Sequence, residues 1–253
     1  MIRNIDYIFG ILVTDGSIEL SSRNRGKVRL EVKYEDRDIV YKLKERIDGS
    51  TVTERTRDTN FKKSYHSICF NNYRIEFREL LFGMGYPTEN KSENECPPKT
   101  EYNKKEFWRG VFDGDGSIGC TKDGRPFVSL ITVSDILHDE FTRFLKEELE
   151  IVRIINRNKR DNCYIFSLFD EDAIKFCDYI YSEADIYLER KYKEYMKFSS
   201  WERTKKKVSR RTWTKEEDEF ILKNTVKDSM KKLGRTEKSI QLRKFRLKKS
   251  VND

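Results

Sequence analysis

The sequence predicts an α+β fold in which one small domain occurs twice, followed by a short basic appendage of helices. Three observations lead to this prediction. A nine-residue motif recurs at an offset of 100 residues, alternating polar and apolar residues follow each copy, and the basic surplus lies in the last fifth of the chain. Helix, strands, helix, strands, helix in each copy is the order of an α+β domain.

The repeated motif is the most informative of these features. Ile8–Gly16 reads IFGILVTDG and Trp108–Gly116 reads WRGVFDGDG, and Ser-Ile follows both. Similarity continues downstream, where the matched segments are Val28 and Leu30 with Val128 and Leu130, Val52 with Val152, Ile68 with Leu168, and Glu89-Asn90-Lys91 with Glu189-Arg190-Lys191. This offset is longer than the roughly 20–50 residues of a solenoid repeat. It therefore indicates two domain copies related by a pseudo-twofold axis.

Each element follows from a local pattern. The first motif predicts a helix that starts near the capping residues Asn4 and Asp6 and ends near Gly16. Residues 27–33 alternate between polar and apolar, as in a half-buried strand. The remaining predicted elements are, in the first copy, helix 37–47, strands 51–57 and 65–70 and helix 73–83, and in the second copy, helix 104–114, strand 126–133, helix 136–149, strands 151–157 and 163–169 and helix 171–182.

The motif also predicts a catalytic centre. Gly10 and Gly110 remove the side chain where two motif helices would meet, so both helices can pack on the pseudo-axis. Their C-terminal ends then bring Asp15 and Asp115 together. Two carboxylates repel each other, and the negative helix ends add to the repulsion. A divalent cation such as Mg²⁺ would relieve this conflict and could catalyse phosphodiester hydrolysis.

These paired motifs resemble those of the LAGLIDADG homing endonucleases, in the monomeric form with two motifs, over residues 5–200. The resemblance implies two αββαββα units whose antiparallel strands form a saddle over the DNA major groove. It also implies a metal-binding carboxylate, a metal-binding backbone carbonyl and a basic group that stabilises the transition state. The matching positions are Asp15 and Asp115 for the carboxylate, Thr14 and Gly114 for the carbonyl, and Lys91 and Lys191 for the basic group that stabilises the transition state.

The resemblance implies Mg²⁺ as the cofactor, with Mn²⁺ able to substitute. Three motif positions depart from the family pattern: Val13-Thr14 replaces Asp-Ala in the first motif, and Arg109 occupies the second position of the second motif. Neither change removes an expected metal ligand.

Candidate DNA contacts follow from the strand alternation. Because Val28, Leu30 and Val32 would pack against the helices, the intervening side chains would face outward. Arginine and lysine can pair with guanine, although many such residues touch only phosphates. The candidates are Lys27, Arg29, Lys33, Arg55, Arg57, Lys62 and Lys63 in the first copy, and Arg125, Arg153, Arg157, Lys159 and Arg160 in the second.

The charge distribution separates the appendage from the rest of the chain. Residues 1–201 hold 34 basic and 36 acidic side chains, whereas residues 202–253 hold 18 basic and 8 acidic ones. We predict domains at 1–100 and 101–201, a basic linker at 202–211 and a DNA-binding domain at 212–253.

Residues 212–253 predict three short helices with Gly234 in the last turn, which is a helix-turn-helix pattern. The string Trp-Thr-x-Glu-Glu-Asp followed by Leu-Gly-Arg-Thr-x-x-Ser-Ile resembles Myb/SANT-type DNA-binding domains over about 40 residues, although the later Myb tryptophans are absent. The resemblance implies that Arg210 and Arg211 contact phosphates and that Lys238, Gln241, Arg243 and Lys244 approach the groove. The alternative is a helical tail that adds only non-specific affinity.

The sequence therefore predicts a site-specific double-strand DNA endonuclease that acts as a monomer on a long, pseudo-asymmetric target. The alternatives are an intron RNA maturase, with intron RNA as the partner, and a DNA-binding regulator on the same scaffold. No apolar run reaches the ~18 residues needed to cross a bilayer, so no membrane partner is expected. Five cysteines without C-x-x-C spacing fit reduced thiols, and we expect a cytoplasmic protein with access to DNA.

Overall fold

The computed structural model describes residues 2–23, 25–58, 63–203 and 212–249. The chain forms two compact units, residues 1–202 and 203–253, which we call the body and the C-terminal unit. The candidate DNA contacts Lys62, Arg210 and Arg211 lie outside the described residues. None of the helices within the described ranges combines the length and the apolar character needed to span a membrane.

The first half of the body has the predicted element order. Its elements are α1 (Ile5–Asp15), β1 (Gly16–Ser21), β2 (Arg25–Lys33), α2 (Arg37–Arg46), β3 (Ser50–Arg57), β4 (Tyr65–Asn72) and α3 (Ile75–Gly83). The strands form an antiparallel sheet in the order β1-β2-β4-β3. Val28 and Leu30 of β2 are fully buried against the helices, which confirms the predicted alternation.

The second half repeats this plan with one strand fewer. Its elements are α4 (Lys104–Gly114), β5 (Ser117–Cys120), β6 (Pro126–Thr132), α5 (Asp135–Leu149), β7 (Tyr164–Phe169), α6 (Glu171–Tyr181) and α7 (Glu189–Met196). The sheet is antiparallel in the order β5-β6-β7. Both halves are thus α+β, as predicted, although α7 was not anticipated.

The predicted strand at 151–157 is wrong. The backbone of this segment forms no ladder with β7, and its apolar residues Val152 and Ile154 are 66% and 89% exposed. The segment is instead held by the start of α5, since Nε2 of His138 lies 3.1 Å from the carbonyl oxygen of Ile155. The proposed equivalence between Val52, which lies in β3, and Val152 therefore fails.

The two motif helices pack directly on each other, as the glycine positions predict. A Cβ atom on Gly110 would lie 2.2 Å from the carbonyl oxygen of Tyr7, and one on Gly10 would lie 2.4 Å from that of Phe107. Because real Cβ atoms do not approach backbone atoms so closely, only glycine permits this helix spacing. The contact aligns the C-terminal ends of α1 and α4.

The C-terminal unit contains three helices, α8 (Lys215–Lys223), α9 (Val226–Leu233) and α10 (Glu237–Lys249). Thr214 and Glu217 form the capping box at the start of α8. Gly234 ends α9 in the left-handed conformation and begins the short turn to α10. Arg235 packs over the ring of Trp213 at 3.9 Å and pairs with the buried Glu217 at 2.7 Å, so this small unit has an ionic as well as an apolar core.

Candidate active site

The body brings Asp15 and Asp115 together at the ends of α1 and α4. Their carboxyl groups lie within hydrogen-bonding reach of each other, where they can share a proton, and both residues are exposed to solvent. Partial desolvation by the surrounding protein raises the pKa of both groups. The neighbouring Asp115 raises the pKa of Asp15 further, to about 6. The two carboxyl groups therefore repel each other when both are ionised, and they lie where ligands can reach them.

Gly114 makes room for this pair. A Cβ atom at this position would lie 2.1 Å from Oγ1 of Thr14 and 3.5 Å from Oδ2 of Asp15. The residue before each aspartate thus lies at the helix contact, where a side chain on Gly114 would push the two halves apart.

The predicted lysine pair lies beneath the carboxylates. Nζ of Lys91 donates hydrogen bonds to the carbonyl oxygens of Thr14 and Gly16, the second at 2.7 Å. Nζ of Lys191 donates to the carbonyl oxygens of Phe112, Asp113 and Gly114 at 2.6, 2.8 and 2.7 Å. Each lysine therefore holds the negative end of one motif helix, where a cation is favoured. Lys91 and Lys191, which the 100-residue offset matches, thus make equivalent contacts with the helix ends.

The two lysines differ in their surroundings. Lys191 is buried, and desolvation lowers its pKa to about 8, whereas Lys91 is only half-buried and has a less strongly lowered pKa. Lys91 donates to the carbonyl oxygen of Thr14 and Lys191 donates to that of Gly114, and the family resemblance assigns both carbonyl groups to metal binding. Since a carbonyl oxygen has two lone pairs, it can accept a lysine and still face a cation.

The buried aspartate within the second motif has a structural role. Asp113 accepts hydrogen bonds from the hydroxyl groups of Tyr7 and Tyr181 at 2.8 and 2.5 Å, and from the backbone N–H of Leu188 at 2.8 Å. These contacts fix the start of α7 against α1. They thereby place Lys191, three residues further on, at the end of α4.

Arg109, which departs from the family pattern, is also structural. Its guanidinium is buried and donates to the carbonyl oxygens of Ile186 and Ile180 at 2.7 and 2.9 Å. It caps the end of α6 and does not contact the end of α4 that carries Asp115.

Glu95 is a third carboxylate that sequence reasoning missed. Its side chain is buried and accepts a hydrogen bond from the hydroxyl of Thr132 at 3.2 Å. Burial raises its pKa to about 7, and the charge of Asp115 contributes to the increase. Glu95 lies in the connection between the halves. The position 100 residues later is Tyr195, so the repeat contains no second carboxylate that would have indicated Glu95. The centre is consequently asymmetric.

The outer face of the first sheet is polar and charged, as predicted. Strand register places Lys33, Ser67 and Arg55 in one row, and Arg57 opposite Tyr65 in the next. Glu31 accepts from Ser67 at 2.7 Å and pairs with Arg29 at 2.6 Å and Arg57 at 3.1 Å. These contacts lower its pKa despite partial desolvation.

The remaining candidates of the first half lie at the margins of this face. Lys27 pairs with Glu19 at 3.1 Å, and Lys63 is exposed beside the undescribed residues 59–62. Lys33 and Glu31 line a cavity of about 220 Å³ that also contains Asp15. The charged face is thus continuous with the carboxylate pair.

In the second half, none of the predicted basic residues lies within a strand of the sheet. Arg153 and Arg157 belong to the predicted strand that does not form, whereas Arg125 directly precedes β6 and its guanidinium lies 5.7 Å from the ring centroid of Phe169. Arg125 forms two hydrogen bonds with Asp170 at 2.8 and 2.7 Å, and Arg157 pairs with Asp135 at 2.7 Å. The other three candidates lie in the irregular segment, where Arg153 pairs with Asp172, Arg160 pairs with Asp161 and Lys159 is exposed.

Two of the four candidates in α10 are engaged inside the C-terminal unit. Arg243 forms two hydrogen bonds with Asp218 at 2.7 and 2.6 Å, and Lys244 donates to the carbonyl oxygen of Asn224 at 2.5 Å. Lys238 and Gln241 are exposed, although Gln241 also contacts Glu237 at 2.9 Å. Helical spacing alone could not reveal these internal pairs.

Known proteins share this architecture. Residues 103–192 match the model of the LAGLIDADG-like domain. The homing endonuclease I-WcaI bound to its DNA recognition sequence superposes with a TM-score of 0.53 at 16% identity, over 77% of this chain and 87% of that chain. Full-length DUF199/WhiA from Thermatoga maritima gives a TM-score of 0.47 at 15% identity, over 98% and 91% of the two chains. No relative was found among curated protein sequences. The chain therefore has the α+β fold of LAGLIDADG homing endonuclease structures, and its second half matches the LAGLIDADG-like domain.

Proposed function

We propose that this protein is a site-specific endonuclease that cuts both strands of DNA with divalent metal ions bound at Asp15 and Asp115. The contact between these two accessible carboxylates, at the ends of two packed helices, carries the proposal. A stable fold does not need two aspartates facing each other, because their repulsion opposes the packing that joins them. Binding of a cation accounts for their position.

The donor set suits Mg²⁺ or Mn²⁺. Among the described residues, no group of three or more histidine, cysteine, aspartate or glutamate side chains is arranged to bind a metal ion. Mg²⁺ is commonly held by one or two carboxylates together with water and substrate phosphates. Asp15 and Asp115, with the carbonyl groups of Thr14 and Gly114, would hold such ions once a phosphodiester is present. The bound metal would activate water and stabilise the leaving oxygen.

The protein groups around this centre position the substrate. Lys91 and Lys191 hold the two helix ends, and their positive charge would stabilise the negative charge that develops on a phosphate bound at the two aspartates. The charged face of the first sheet, with Arg55 and Arg57, binds DNA next to Asp15. Because the two halves are related by a pseudo-twofold axis, each motif serves one strand of the duplex.

Selection from random duplex DNA tests this function. Duplexes retained by the full chain without metal are amplified and then incubated with Mg²⁺, Mn²⁺ or EDTA. We expect one enriched site and double-strand cleavage only in the presence of metal. Enrichment of a site that is never cut would support a DNA-binding regulator instead. Metal-independent binding to intron RNA, without DNA cleavage, would support a maturase.

The asymmetry at Glu95 gives a further prediction for this activity. At pH 8, which is above the pKa of about 7 of Glu95, replacing Glu95 with Gln removes a negative charge near Asp115 while the hydrogen bond from Thr132 can be retained. We expect the Mg²⁺ concentration for half-maximal cleavage to rise several-fold, since the field that attracts the cation is weaker. Titration of Mg²⁺ against cleavage rate measures this change. Thr132→Ser is the control, because it keeps both the hydroxyl that donates to Glu95 and the charge of Glu95, and an equal effect of both variants would contradict the prediction.

We also propose that the C-terminal unit is a helix-turn-helix domain that provides a second contact with DNA. Its α9–α10 turn and the exposed Lys238 and Gln241 support this role. Truncation after Glu202 should weaken DNA binding and reduce the slope of log K against log salt, by about 0.9 for each phosphate that the shortened chain no longer neutralises. Binding isotherms at several salt concentrations test this, and an unchanged slope would reject the role.

A further inference from the structure

The outer face of the second sheet has uncharged side chains along its three strands, and the Arg125–Asp170 pair lies at its Phe169 edge, with the Arg125 guanidinium 5.7 Å from that ring centroid. In β5, β6 and β7, all of which the structure describes, the core-facing side chains alternate with outward ones that carry no charge. Register pairs Ile131 with Ile165, Ser129 with both Ser117 and Ser167, and Phe127 with both Gly119 and Phe169. Ile131, Ile165 and Phe169 are 56%, 42% and 43% exposed. Two apolar rows thus flank a row of three serine hydroxyls.

The equivalent face of the first sheet has a different chemistry. The β2 position that corresponds to Ser129 is Arg29, and the one that corresponds to Ile131 is Glu31. The pseudo-twofold repeat therefore preserves the core and the motif helices, whereas the two outward faces have diverged. A face that packs against nothing but water would gain no stability from exposed isoleucine and phenylalanine.

The outer face of the second sheet is continuous with the carboxylate centre. Strand β5 begins at Ser117, two residues after Asp115. Ile131 directly precedes Thr132, whose hydroxyl donates to Glu95 beside that centre. Ser117 and Ile131 thus lie at the end of this face that is next to Asp115 and Glu95.

We propose that the second half recognises its DNA half-site through apolar contacts with the C5-methyl groups of thymine. This inference rests on the proposed function. Side chains without charge cannot neutralise phosphates or pair with guanine as arginine does, but isoleucine and phenylalanine suit the thymine methyl in the major groove. The serine row can contact either base of a pair. The charged first half supplies the electrostatic affinity, and the second half supplies preference for thymine.

The test compares selected target sites for the full-length protein and for Ile131→Ser and Ile165→Ser. Positions whose base preference changes in a variant mark the contacted bases, and we expect thymine there in the wild-type site. Replacing each of those thymines with deoxyuridine removes only the methyl group. Wild-type binding should weaken about fourfold for each buried methyl, and the matching serine variant should lose this sensitivity.

The possible outcomes distinguish a failure of this inference from a failure of the proposed endonuclease function. A wild-type selection that yields no bound or cleaved site contradicts the endonuclease proposal itself. A cleaved site whose affected positions lack thymine, or whose affinity is insensitive to deoxyuridine, overturns the methyl contact alone. A change in oligomeric state in Ile131→Ser without any change in base preference would also overturn it, because the face would then join protein copies. Arg55→Ser is the matched control, and it should weaken binding without affecting deoxyuridine sensitivity.

Discussion

Replacing Asp15 and Asp115 together with Asn should abolish double-strand cleavage, with a loss of about 10³-fold or more in rate. Metal-assisted charge stabilisation supplies several kcal/mol in the transition state, and each 1.36 kcal/mol corresponds to a factor of ten. Asparagine keeps the shape of the side chain but removes the charge that holds the cation. Each single variant should fail to cut both strands efficiently, and nicked circular DNA is the expected residual product. Gel separation of supercoiled, nicked and linear plasmid measures all three outcomes.

The same variants should keep or increase the stability of the fold. The pKa of Asp15 is raised to about 6 in the folded protein, so folding becomes less favourable as pH rises from the unfolded pKa towards 6. Above pH 6 the ionised pair opposes folding, and Asp15→Asn removes that cost. Thermal unfolding at neutral pH should therefore show an unchanged or higher midpoint. Full cleavage by the double variant, with a normal midpoint, would show that the carboxylates are not the metal site.

The parts of this site that lie within the repeat could be predicted, because the second copy acts as an internal comparison. Asp15 and Asp115 meet, and Lys91 and Lys191 hold equivalent helix ends, since both copies keep the same backbone path. Glu95 escaped prediction because it belongs to the connection, where only one copy exists. Its role depends on a tertiary contact with Thr132 that no local pattern encodes.

The failures on the sheet faces have a different origin. The prediction of a strand over 151–157 fails because this backbone joins no ladder, and the carbonyl oxygen of Ile155 lies 3.1 Å from Nε2 of His138 in α5. Basic residues likewise appeared free in the sequence, whereas Arg125 and Arg243 are paired with aspartates distant along the chain. A residue pattern shows which side chains share a face only where the strand forms, and the sequence does not reveal which basic residues pair with acidic residues of the same chain.

The helix contact at Gly110 gives the second large expected effect. Replacing Gly110 with Ala would place a Cβ atom 2.2 Å from the carbonyl oxygen of Tyr7 and 2.9 Å from the backbone nitrogen of Ile11. Both neighbours are backbone atoms in α1, so relief requires the two helices to separate. We expect a loss of about 3 kcal/mol or more in the free energy of unfolding, measured by urea denaturation of the full chain.

Gly83 provides the matched control for this experiment, because a Cβ atom there would have no neighbour within 4 Å. Gly83→Ala lies at the end of α3 and should be neutral or stabilising by up to about 1 kcal/mol. Separation of α1 and α4 would also move Asp15 away from Asp115, so Gly110→Ala should lose cleavage even at temperatures where it remains folded. Retained stability together with retained cleavage would mean that the motif helices do not need this spacing. Lost cleavage in a stable variant would show that the glycine contact exists chiefly to set the distance between the carboxylates.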